Sequence, residues 1–388
     1  MMSLLKNAII LSREDAQLPR IIKILHPDYP AAENTLLHLR ALDNGGIDYD
    51  TALAVCSIVT GNTCTGFFAT REAGTQRLER IVPPSDSILR ENAYFFQLPD
   101  DDVLERPYPV IPRFEDWTFP HDAMPPPWRE LSRQAQGGMS CRVTDCMWGV
   151  EKAHLIPLTA QNWWDREELQ QYIVLDRFSQ SDIDVNDNII PLRSDIHTVF
   201  DDKVFAIVPK RDQRSGQEAP GELSLVTHII NPILDNYFNL YYHNRKLLPL
   251  KCSIECLFAR FTCTIFSPGV IGVFLKKCIT SRRLLVYDPG TGTSTVESRN
   301  REQAQALLAA SRSRSASPRK RPALEAVGNV VSVLEDGQPY DIEDESQADS
   351  GFMERSPSRG RSKKRQWATD QQEQAWAVQK RGKLGANG

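Results

Sequence analysis

The sequence predicts an α+β fold, and three observations predict it. Residues 1–100 mix short β-rich runs with Gly/Asp/Asn turns. Residues 138–282 are compact in composition, with strand-like runs separated by helical stretches. Between 141 and 210 a strand-like run, a loop and an amphipathic helical segment follow one another, which suggests a ββα core.

Taken in order, AIILS, RIIKIL, ALAVCSIVTG and GFFAT read as strands and DNGGIDYD as a turn, giving an N-terminal α+β module over 1–100. Residues 101–137, with RPYPVIPRFEDWTFPHDAMPPPW, are rich in Pro, Asp and Glu and read as a connector. In the segment 138–285, VFAIVPK and TCTIF read as strands. The longest apolar run, Ile265 to Leu275, is cut by Ser267, Pro268 and Gly269 and reads as core strands. Composition changes near residue 300. Residues 311–388 hold fourteen Lys/Arg and eleven Asp/Glu, repeated Ser-Arg and Ser-Pro pairs and few apolar side chains. Such a segment cannot bury enough apolar area to offset its ordering entropy, so 300–388 is expected as a disordered tail with at most a short helix over Trp367–Lys383. Its clusters Arg319-Lys320-Arg321 and Lys363-Lys364-Arg365 have the form of nuclear-import signals, which would make import receptors partners.

Composition sets further bounds. The chain has 388 residues, 41% hydrophobic and 25% charged, as in globular domains. No stretch approaches the ~20 apolar residues of a membrane span, and the start lacks the basic leader and cleavage site of a secretory signal. Eight scattered cysteines in a chain with a sizeable core are no disulfide framework, so a reducing compartment, nucleus or cytoplasm, is expected. The net charge of −4 gives no global sign of nucleic-acid binding, and any such function must rest on local chemistry.

That chemistry gathers in one stretch. CRVTDC is followed by GVEKAHLIPL, a strand running into a loop at Pro157, then VNDN, IIPLRSDIHTVFDDK and the strand VFAIVPK. In SDIHTVFD, Ser194 is a candidate N-cap, Ile196 and Phe200 share one helical face, and His197 and Asp201 share another. A His/Asp pair one turn apart can grip a divalent ion. A neutral imidazole suits a base that takes a proton from water, because imidazoles ordinarily titrate near working pH. Such a base must also be held in one orientation, a task for an amide.

These residues resemble the HNH nuclease family, in a variant common in fungal proteins, with the pattern of Cys-x-Val-Thr, Ala-His-Leu/Ile-x-Pro and Leu-Arg-Ser-Asp-Ile-His-x-x-Phe-Asp. The resemblance implies a ββα-metal fold with His154 as general base, Asn188 orienting it, and His197 and Asp201 holding Mg²⁺ or Mn²⁺ for hydrolysis of nucleic acid, DNA foremost. YYHNRKLLPL, CLFARFTCTIF and ALAVCSIVTGN extend the likeness over most of 20–285. Two positions depart from it. Ala153 stands where many members carry a ligand, and Ile189 stands where Gly is usual.

Other residues have weaker claims. Arg193, Lys203 and Lys210 flank the metal helix and are candidates for the nucleic-acid backbone. Trp163 and Trp164, in an insert with the helix-like DREELQQYI, would form a lid or core. Cys141 and Cys146 read as buried thiols before half of a zinc site, and His243-Asn244-Arg245 and Arg260 as structural before phosphate contacts. Two rivals stand beside the nuclease: an inactive HNH-fold module binding nucleic acid or protein, and a nuclear scaffold acting through its tail.

Overall fold

Strand length and pairing, more than composition, decide the architecture of this chain in a computed structural model that describes residues 20–72, 74–75, 77–99, 105–133, 138–174, 183–211, 222–231 and 236–314. The first elements are β1 (Ile21–Leu25), β2 (Thr35–Arg40), β3 (Ile47–Asp48), α1 (Tyr49–Val59), β4 (Phe67–Arg71), β5 (Leu78–Arg80), β6 (Ile88–Leu89) and β7 (Ala93–Gln97). They build a five-stranded sheet in the order β2-β1-β7-β4-β5, in which only β1 and β7 pair in parallel, beside a small β3–β6 ladder. This is the expected N-terminal mixture of strand and helix, with one correction. ALAVCSIVTG, expected as a strand, lies in α1. A fully apolar run fits a buried helix as well as a strand, and here Asp48 decides by capping, its Oδ1 accepting from the Thr51 amide at 2.8 Å. The first of the four runs, AIILS, lies outside the described residues.

Residues 105–133 hold little regular structure beyond α2 (Pro126–Arg129), yet Tyr108, Trp117, Phe119 and Trp128 are buried. Trp128 packs edge-on against Phe258 at 5.1 Å, and Val110 bridges to Leu284. The expected connector therefore runs through the core.

Beyond it come β8 (Val150–His154), α3 (Gln161–Arg166), β9 (Ile189–Arg193), α4 (Ser194–Asp201), β10 (Phe205–Arg211), β11 (Leu223–Ile229), α5 (Asn236–Tyr242), α6 (Ile254–Ile265), α7 (Gly272–Lys276), β12 (Ser281–Asp288), β13 (Thr293–Asn300) and α8 (Arg301–Arg314). β8 and β9 form an antiparallel hairpin on which α4 packs, the expected ββα order, and β10 pairs with β11. TCTIF is not a strand, since all but its last residue lies in α6. Ser253 caps that helix, and the Thr262 and Thr264 hydroxyls donate to the Phe258 and Arg260 carbonyls at 3.0 Å, so β-branched residues are buried without orphaned oxygens. The run Ile265 to Leu275 likewise ends helix α6 and enters α7, where core strands were expected.

The first residues of the expected tail are regular structure. Residues 301–314 are helical, with Ala304 and Leu308 buried and Leu308 packed over Gly272. Residues 315–388, including the helix expected over Trp367–Lys383 and both basic clusters, lie outside the described residues. All described residues fall within one compact unit, Met1–Lys320, and among the described residues no helix is long and apolar enough to cross a membrane.

Candidate active site

The hairpin carries the site because its register fixes which side chains share a face. Ala153 pairs with Ile190 and Glu151 with Leu192, and residues opposite one another in an antiparallel pair lie on one side. Ala153, Ile190 and Leu192 are buried, as are Ile196 and Phe200 of α4. Two ties hold the helix in place, one to the turn before β8 and one to α6. At its start, the Ser194 amide donates to the Gly149 carbonyl at 2.8 Å. At its end, the buried Arg260 guanidinium donates to the Phe200 carbonyl and lies 3.7 Å from the Phe200 ring. A cation at a helix C-terminus also meets the negative end of the helix dipole. Ser194 is not the N-cap expected of it. It is the first helical residue, because β9 stays extended through Arg193 and delivers the Ser194 amide to Gly149.

On this frame His197 faces two carboxylates. Its Nδ1 lies 2.8 Å from Glu151 Oε2 and its Nε2 lies 3.4 Å from Asp201 Oδ2. An ionised carboxylate only accepts, so the Glu151 contact puts the hydrogen of a neutral ring on Nδ1. Nε2 then turns a lone pair toward Asp201. Two acceptors facing each other need a proton or a metal ion between them, and neighbouring ligands on an octahedral ion are about 3 Å apart. The pair therefore fits the divalent ion expected of it. Ala153 offers no donor atom, and Glu151, one step back along the same face, brings a carboxylate to the helix instead.

His154 ends the strand, three-quarters buried, with Nε2 2.9 Å from Asp184 Oδ1. Asn188 is fully buried, but its amide does not reach the imidazole. Its Oδ1 accepts from the Ile156 amide at 2.8 Å, and its Nδ2 donates to the Ile156 and Ile183 carbonyls, both at 2.9 Å. Its backbone carbonyl accepts from Leu155. Asn188 thus clips the segment that follows His154 to the loop 183–188. That loop is braced by the buried Asp187, which takes Arg133 and the Val174 amide.

The remaining candidates divide. Arg193 holds Asp195 through two 2.6 Å hydrogen bonds, and that carboxylate raises the guanidinium above its ordinary value. Lys203 lies in the turn after α4 at φ +57°. Lys210 reaches Asp43 at 2.7 Å and Asn244 at 2.9 Å. Trp163 and Trp164 are core residues, Trp163 stacking 5.7 Å from Trp117 and donating to its carbonyl. Cys141 is buried, its amide bonded to the Cys146 carbonyl, and the cysteines are free thiols.

Asp43, His228 and His243 bring ligand-type atoms within 4.8 Å of one another. Hydrogen bonding argues against a second metal there. Asp43 Oδ1 already accepts from His243 Nε2 at 2.9 Å, Asn244 Nδ2 at 2.5 Å and the Lys210 ammonium, while its Oδ2 takes the Asp48 amide. His243 spends its other nitrogen on the Ile229 amide. An incoming cation would meet the Lys210 charge.

Glu151 and Asp184 are the site residues that sequence reasoning missed. Glu151 is legible in hindsight as the residue sharing a strand face with position 153. No spacing rule singles out Asp184. No curated protein and no solved structure matches the chain. Residues 141–208, from Cys141 through the hairpin and α4 into β10, match the family model described as HNH endonuclease, so over this stretch the chain has the sequence of an HNH-type domain.

Proposed function

We propose that this chain is a metal-dependent nuclease that hydrolyses phosphodiester bonds in DNA. The observation that carries it is the His197–Asp201 pair, set one helical turn apart on α4, which packs on the hairpin of an HNH-type segment whose β8 ends in His154. In this reading His154 accepts a proton from the attacking water, Asn188 holds the loop that faces it, and His197 with Asp201 hold the ion, Mg²⁺ or Mn²⁺. When bound, the ion supplies stabilisation of the charge that develops on the phosphate and the leaving oxygen. Arg193 and Lys203, at the two ends of α4, contact the nucleic-acid backbone. Lys210, committed to Asp43, is the weakest of the three candidates for that role. The basic clusters of the C-terminal segment direct the protein to the nucleus through import receptors.

A second reading, an HNH-fold binding module without catalysis, is favoured by Ala153, whose methyl occupies the family's usual ligand position. Incubation of the purified full chain with supercoiled plasmid and Mg²⁺ or Mn²⁺ separates the two. Nicking that falls roughly 10²–10⁴-fold in His154→Ala supports the nuclease. Binding of DNA without nicking under either metal supports the module.

A further inference from the structure

We propose that Asp184 is the positioning residue of His154: its carboxylate fixes the imidazole with hydrogen on Nε2 and leaves Nδ1 as the proton acceptor. What Nδ1 then does rests on the nuclease reading above.

The base needs a partner, and the amide expected to provide one is spent elsewhere. Both polar atoms of Asn188 are bonded to backbone at Ile156 and Ile183, and none is left for the ring. Asp184 Oδ1 lies 2.9 Å from Nε2 instead. Since an ionised carboxylate cannot donate, Nε2 carries the hydrogen, and the lone pair of the neutral ring falls on Nδ1.

Asp184 itself is 56% exposed on its side chain, so burial does not hold it in place. Its neighbours do. Ile183 and Val185 on either side are buried, which turns the residue between them outward. Asn188 bonds Ile156, two residues after His154, and Ile183, one residue before Asp184. One amide therefore sets the spacing between imidazole and carboxylate from both sides, and Asp187 anchors the same loop to Arg133. Asp184 is thus held to the ring by a buried scaffold that it does not belong to.

The test reads the ring directly. The full chain labelled with ¹⁵N-histidine is examined by long-range ¹H–¹⁵N NMR near pH 8, above the ordinary imidazole range, with His154 assigned by the signal lost in His154→Ala. Wild type shows Nε2 protonated and Nδ1 bare, Asp184→Ala shows averaged tautomers, and Asp184→Glu restores the wild-type pattern. Plasmid nicking falls roughly 10–100-fold in Asp184→Ala and recovers in Asp184→Glu, with Mn²⁺ affinity unchanged in both. A His154 tautomer that stays the same in Asp184→Ala overturns the proposal, as does a changed tautomer with undiminished nicking. A wild type that nicks nothing sinks the nuclease reading, while the NMR spectra still decide whether Asp184 sets the tautomer.

Discussion

Glu151 Oε2 lies 2.8 Å from His197 Nδ1, so a carboxylate outside the motif fixes which nitrogen of a motif residue is free. A carboxylate behind a histidine ligand orients the ring and raises its basicity. Glu151→Gln should therefore weaken Mn²⁺ binding roughly 10–100-fold, while His197→Ala and Asp201→Ala remove it. Isothermal calorimetry checks this. Unaltered affinity in Glu151→Gln would reduce the contact to an ordinary half-exposed ion pair.

Asn188→Ala should cost stability as well as activity. It strips hydrogen bonds from the buried Ile156 and Ile183 backbone groups, and each orphaned group costs about 1–3 kcal/mol. With three such groups orphaned, chemical unfolding should show a loss of at least about 3 kcal/mol. A variant as stable as wild type would mean that the loop closes without the amide.

Acid should weaken the fold well above the carboxylate range. Burial lowers His26 from its ordinary value to about 3, and pushes His228 and His243 down as well. A group depressed in the folded state contributes stability that is present above its unfolded value, near 6.5, and lost as pH falls through it. Each such histidine adds a slope of up to about 1.4 kcal/mol per pH unit. Urea midpoints should drop between about pH 7 and 5. The drop should be shallower in His26→Gln, because burial keeps the His26 ring neutral, with Nδ1 accepting from the Asp28 amide. A flat profile over that range excludes the effect.

Truncation should be tolerated only beyond α8. A chain ending after Arg314 keeps Ala304 and Leu308 in place, whereas one ending near residue 305 uncovers Gly272 and α7. Thermal melting of the two truncated chains checks this, and equal midpoints would remove α8 from the core.

Part of the candidate site's geometry was legible because strand and helix periods place residues without tertiary knowledge. His197 and Asp201 meet across one helical turn, and His154 ends a strand. What stayed hidden depends on loops and packing. Asp184 reaches its ring across a fold of the chain, and nothing in VNDN says that the Asn188 amide turns to backbone. ALAVCSIVTG and TCTIF were misread because short β-branched, largely apolar runs fit a buried helix as well as a strand, and the caps at Asp48 and Ser253 decided them. The same absence of pattern hid the burial of Trp117 and Trp128 in a Pro-rich stretch.

The donors gathered on Asp43 bear on how such a protein can be rearranged. The carboxylate comes from the turn before β3, while Lys210, His243 and Asn244 come from the β10 end and from the segment after α5. A gene fragment starting near residue 138 would keep an ammonium group and strip away the anion that neutralises it. A fragment that runs from there past Lys210 is thus poor material for domain shuffling or grafting onto other proteins. Whatever carries it must also carry Asp43, or replace Lys210 with a side chain that needs no counter-charge.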